Sequence, residues 1–147
     1  MSKRPCTTAI IVHCSATLPG QKCNARIIDQ WHRQRGWKSI GYHFVVLPDG
    51  TVEAGRPIDE TGAHCIGDRK HPNMNPVSIG VCYVGGLDQD GQPADTRTEA
   101  QKRSLRQLIQ GLRYTYPQAR VYGHRDFDSR KACPCFDARA EYEDLTK

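Results

Sequence analysis

Thr7-Thr8-Ala9-Ile10-Ile11-Val12-His13 is a short, β-branched run that reads as a buried strand. It ends on a histidine and gives way to the loop Cys14-Ser15-Ala16-Thr17. Open α/β sheets place their sites beyond the carboxyl ends of strands. His13 therefore either caps this strand or points into a cleft.

Downstream, the chain alternates helix and strand signals. Asn24 is a good helix N-cap, Ile27, Ile28 and Trp31 form an apolar stripe, and Gly36 is a natural C-cap. His32, one turn after Ile28, reads as a structural or surface histidine. Gly41 to Leu47 and Thr51 to Arg56 flank Pro48-Asp49-Gly50, which signals a hairpin. Tyr42 sits at the mouth of that hairpin, and His43 faces the opposite way if the strand alternates. Residues 57–76 form a long polar segment, and loops of this length in compact domains are usually functional or disordered. It is expected to rim a site. His64, after Gly62-Ala63, is its better site candidate, and His71 is expected to be exposed.

Ser78 to Val84 reads as a central strand. Thr98 and Gln101 make a capping box ahead of Leu105, Leu108, Ile109, Leu112 and Tyr116 at helical spacing. Pro117 stops this helix, Arg120 to Gly123 is a short strand ending at His124, and a last helix starts near Asp137. The fold class expected is α/β, with a central mixed sheet of about five strands flanked by helices. Residues 1–147 are expected to form a single catalytic domain, acting as a monomer.

With 147 residues, the chain is long enough to bury roughly 70% of its unfolded surface. Apolar residues make up 37% and charged residues 25%, and no apolar run reaches the ~20 residues of a membrane span. No membrane insertion is expected. The start, Met1 to Cys6, lacks an apolar core of the secretory kind, so synthesis in the cytoplasm is expected. Seven cysteines would leave one thiol over in a disulfide framework, so free thiols plus a metal ligand are expected. Cys82, between Val81 and Tyr83, is expected to be a small buried hydrophobe. The net charge of +5 favours anionic partners, such as an acidic wall polymer. Its basic residues are dispersed rather than clustered, which argues against nucleic acid.

The stretch Tyr122 to Phe136 holds His124, Lys131, Cys133 and Cys135. Imidazole and thiolate are zinc ligands. If the strands carrying His13 and His124 are neighbours, both rings and one cysteine converge on an ion. Three protein ligands leave a fourth position open, the catalytic form of a zinc site. Spacing alone does not choose between Cys133 and Cys135. Asp126 can orient a ligand imidazole or pair with arginine, and Cys14 should point away from the metal.

Blocks along nearly the whole chain resemble the zinc-dependent N-acetylmuramoyl-L-alanine amidases, above all the short phage lysozymes related to peptidoglycan recognition proteins. They are Ile11 to Thr17, Gln30-Trp31-His32, Gly36-Trp37, Ile40 to Phe44, Asp49 to Arg56, Ser78 to Cys82, Val84-Gly85-Gly86, Lys131 to Pro134 and Phe136-Asp137. The resemblance implies one Zn2+ held by His13, His124 and Cys133, with Tyr42 and Lys131 as catalytic partners. It selects Cys133 because serine usually stands where Cys135 is. Cys135 is then an extra thiol that can compete for zinc or form a disulfide on oxidation. His64 matches a histidine on the family's cleft rim, which implies substrate contact. The implied partner is peptidoglycan and its muropeptides, and the implied bond is the amide joining N-acetylmuramic acid to L-alanine. Such an enzyme acts on the wall after release from the cytoplasm, as phage lysins do, or on cytosolic muropeptides. A non-catalytic peptidoglycan-binding module on the same fold is the alternative. The presence of both Cys133 and Tyr42 favours catalysis.

Overall fold

A computed structural model describes residues 2–146 of the chain. Its elements run β1 (Ala9–Cys14), α1 (Ala25–Gln34), β2 (Phe44–Val46), β3 (Val52–Ala54), β4 (Ser78–Tyr83), α2 (Glu99–Thr115), β5 (Arg120–Gly123) and α3 (Ala138–Glu141). Short 3-10 turns cover Asn75–Val77, His124–Asp126 and Glu143–Thr146. The strands form one five-stranded sheet in the order β3-β2-β4-β1-β5. Neighbours pair in parallel, except the antiparallel β2–β3 hairpin across Pro48-Asp49-Gly50. The mixed α/β sheet expected from the sequence is therefore present.

β1 is buried along its whole length, an inner strand of the sheet between β4 and β5. Its side chains alternate between two cores, as the period of a strand requires. Ile10, Val12 and Cys14 join Ile79, Val81, Leu105, Ile109 and Leu112 beneath α2. Ala9 and Ile11 join Cys65 and Met74 on the other face, under the 57–76 loop. Farther along that face, Ile28 of α1 packs with Ile40, Val45 and Cys82. Each fully buried Ile or Leu contributes roughly 1.5–3 kcal/mol relative to exposure, so these two layers hold β1 rigidly in register.

The helix signals correspond to physical caps. Asn24 accepts a hydrogen bond from the Ile27 N–H at 2.9 Å. Thr98 and Gln101 cap each other's backbone N–H groups at 3.0 Å. The Gln101 amide also donates to the carbonyls of Val46 and Val84, so the same side chain that starts α2 fastens it to the sheet. The last helix does begin after Asp137, but is only a single turn. No described helix is long and apolar enough to cross a membrane.

Candidate metal centre and catalytic cleft

The site follows from strand register. β1 and β5 are parallel neighbours, with Val12 opposite Gly123. The next residue on each strand is a histidine, so the His13 and His124 rings meet with centroids 4.5 Å apart. The third donor returns from the loop after β5. The Arg125 N–H bonds the Cys133 carbonyl at 2.8 Å, and the Cys14 N–H points at the Cys133 Sγ at 3.1 Å. One donor atom each from His13, His124 and Cys133 lies within 4.8 Å of the others. Two imidazoles and a thiol suit a borderline-soft divalent ion rather than calcium or magnesium, which take oxygen ligands.

Cys135 goes elsewhere. Its Sγ lies 4.0 Å from the Cys14 Sγ and 3.4 Å from the Gly86 carbonyl. Cys14 faces the α2 core, opposite His13 as alternation requires. All seven cysteines are unpaired. Cys82 is fully buried among apolar neighbours, as expected.

Burial governs the electrostatics. It pushes His13 well below the ordinary imidazole range, helped by His124 and His64. His64 is lowered likewise, first by burial and then by His43 and His124. His124 is lowered by burial and then by the nearby Lys131 cation. Neutral imidazoles are the form a metal binds. Burial raises Tyr42 well above the usual phenol range, so it stays protonated. Its ring stands 5.0 Å from that of His13.

A cleft of about 630 Å³ opens in front of these groups. Trp37, Tyr42 and Ile66 give it apolar walls, and Arg35, Arg130 and Lys131 give it cationic ones. Lys131 is exposed in the loop, with its N–H bonded to the Asp128 carbonyl at 3.0 Å. Part of the 57–76 segment lines the cleft through Ala63, His64, Ile66 and Asn75.

His64 reaches this wall from behind His13. It is 8% exposed, and both ring nitrogens are engaged, Nδ1 with the His13 Nε2 at 2.9 Å and Nε2 with the Ser78 Oγ at 3.2 Å. Asn75 pins its backbone by accepting the N–H groups of His64 and Cys65 at 3.0 and 2.9 Å. Sequence reasoning singled out neither Ser78 nor Asn75 for the site. A serine fully buried at the head of an apolar strand was the signal available.

The remaining candidates have structural tasks. The His32 Nδ1 accepts the Gly41 N–H at 2.9 Å, beside Tyr42. The His43 Nδ1 accepts the Gly80 N–H at 3.0 Å. His71 is partly exposed and bonds Asp68 at 2.7 Å. Asp126 takes neither expected partner. Its Oδ2 accepts the Gly123 N–H at 2.8 Å, because the sharp turn at His124 leaves that donor without a strand partner.

Known proteins resemble this chain in sequence and in fold. Residues 2–136 match the family model described as N-acetylmuramoyl-L-alanine amidase. The endolysin of Klebsiella phage KP32 is 44% identical over 142 residues, covering 97% of this chain and 89% of that protein. The endolysin of Escherichia phage T7 is 45% identical over 141 residues, covering 96% and 89%. Among solved structures, the N-acetylmuramoyl-L-alanine amidase LysC from Clostridium intestinale URNW superposes with a TM-score of 0.75. It is 27% identical, over 95% of this chain and 82% of that one. A match that runs from before β1 to the loop holding Cys133 takes in every residue of the metal cluster, and the chain belongs to the N-acetylmuramoyl-L-alanine amidase family.

Proposed function

We propose that the chain hydrolyses the amide between the lactyl group of N-acetylmuramic acid and L-alanine in peptidoglycan, using one zinc ion held by His13, His124 and Cys133. The observation that carries this reading is the convergence of those three donors at the edge of a cleft that also holds Tyr42 and Lys131. Zinc in such a triad supplies Lewis acidity, polarising a carbonyl and bringing water's pKa towards ~7.

The chain's own residues do the rest. The cationic rim, Arg35, Arg130 and Lys131, draws in a substrate whose stem peptide carries carboxylates. Trp37 and Ile66 offer apolar surface against which the substrate excludes water. Lys131 donates to the amide oxygen as negative charge grows there, an effect worth roughly 3–4 kcal/mol for one donor. Tyr42, kept protonated by burial, orients the attacking water or relays its proton. The endolysin relatives suggest wall lysis as the biological setting.

The test is cleavage of purified muropeptides with and without a chelator. Release of free stem peptide that stops on metal removal supports the proposal. Tight binding without product, at full zinc occupancy, leaves a recognition module instead.

A further inference from the structure

Ser78, His64 and His13 form a line of three buried polar side chains running inward from the metal cluster. Ser78 is wholly buried and His13 is 1% exposed. The His64 ring fills a slot that two glycines keep open. A Cβ on Gly80 would stand 2.6 Å from the His64 Cγ, and one on Gly62 would stand 2.7 Å from its Cδ2. Neither position tolerates a side chain while the ring lies there. The backbone at the ring's root is held by Asn75.

The line has one direction. The Met74 carbonyl can only accept, so the Ser78 hydroxyl spends its single proton there, at 2.7 Å. The Ser78 Oγ is then an acceptor toward the His64 Nε2, 3.2 Å away, and His64 carries its proton on that nitrogen. The His64 Nδ1 is left with a lone pair facing the His13 Nε2 at 2.9 Å, so His13 must place its proton on Nε2. That leaves Nδ1 as the His13 nitrogen available to a metal. The other nitrogen a ligand histidine presents is commonly fixed by a carboxylate or a carbonyl. Here an acceptor imidazole does that work, and a neutral imidazole accepts at Nδ1 only when its proton sits on Nε2, the tautomer that an acceptor at Nε2 favours.

We propose that Ser78, acting through His64, fixes the tautomer of His13 and so decides which His13 nitrogen meets the metal. Both are positioning residues, since neither reaches the ion. Without the Ser78 hydroxyl, His64 can hold its proton on Nδ1. It then donates to the His13 Nε2, and the His13 proton moves to Nδ1, where a metal would have to bind. This inference rests on the zinc reading above but not on amidase activity.

Zinc affinity of the folded holoprotein, measured by competition with a chelator, tests it in four variants. Ser78→Ala and His64→Leu should each weaken zinc binding by about 10- to 100-fold, the usual cost of losing such a partner. His64→Asn should retain most of the affinity, because its Oδ1 replaces the Nδ1 acceptor and an amide has no tautomer to choose. Adding Ser78→Ala to His64→Asn should then cost little more. An equal loss from Ser78→Ala on both backgrounds shows a packing effect and overturns the relay, as does wild-type affinity in Ser78→Ala. Nitrogen-15 shifts of the zinc-loaded wild type give a second readout that needs no variant. Zinc on the His13 Nδ1 is expected, and zinc on Nε2 overturns the relay while leaving the zinc reading intact. A wild-type protein that takes up no zinc overturns the zinc reading, and the relay falls with it.

Discussion

His13 and His124 are the same residue type, one step past paired positions on neighbouring parallel strands, yet they are held in different ways. His13 lies inside the sheet at 1% exposure, with Nε2 against His64 and two cores fixing its strand. His124 opens a three-residue turn, half-buried, and leads into the exposed loop that brings Lys131 and Cys133. One half of the site is built like a core and the other like a rim. The difference separates two demands on a hydrolytic centre. Ligand geometry needs rigid support, whereas the group that meets the substrate must reach solvent.

The largest expected effect breaks the loop half. Cys133→Ser should abolish zinc uptake and turnover together, read by metal analysis and muropeptide release. Cys135→Ser should spare both, because its thiol turns toward Cys14 and Gly86 rather than the triad. The reverse pattern would show that the loop presents its other thiol. Lys131→Ala comes next. It should keep zinc and lose about 10²- to 10³-fold in kcat, the measured cost of removing one oxyanion donor elsewhere. Unchanged turnover would remove Lys131 from the chemistry and leave it a cation of the rim. Tyr42→Phe probes the boundary between the halves, since its ring touches that of His13 while its edge faces the cleft. A loss of about 10²-fold in kcat with zinc retained is expected, at the low end for a proton-handling group. Loss of zinc instead would move Tyr42 to the structural half.

The two halves also differ in how far the sequence discloses them. Strand and helix order, both long-helix caps and the hairpin are legible because each rests on signals within a few residues. Both histidines at strand ends are legible for the same reason. The order β3-β2-β4-β1-β5 is not, because β1 pairs with strands about 70 and 110 residues away and apolar runs do not name their partners. Spacing cannot separate Cys133 from Cys135. Asp126 departs from both roles expected of it because its task, capping Gly123, arises only from the turn at His124. The Ser78–His64–His13 line joins three distant segments, and no local pattern marks it.

The smallest expected effect tests the core-like half through acid. Burial lowers both His32 and His43 to about 4. Each uses Nδ1 as an acceptor, for the Gly41 and Gly80 N–H groups respectively, and a proton on that nitrogen would destroy the bond. In the unfolded chain the same imidazoles take up protons near ~6.5. Between that value and about 4 the unfolded state therefore binds more protons than the folded one, so stability falls as pH falls. Below the window both states are protonated and these two residues add no further slope. Paired carboxylates such as Asp128, held at about 2 by Arg130, add slope of the same sign only toward the acid end, where the unfolded chain begins to protonate them, and that contribution is common to wild type and variant. Thermal melts of the chelator-treated protein from pH 7.5 to 4.5 should show a declining Tm with His43→Asn flattening the decline, because the substituted amide oxygen would still accept from Gly80 without titrating. The comparison is made on slope, so any packing cost of the substitution shifts the whole curve without imitating the result. A slope as steep in His43→Asn as in the wild type would mean that His43 is not among the groups that acid attacks.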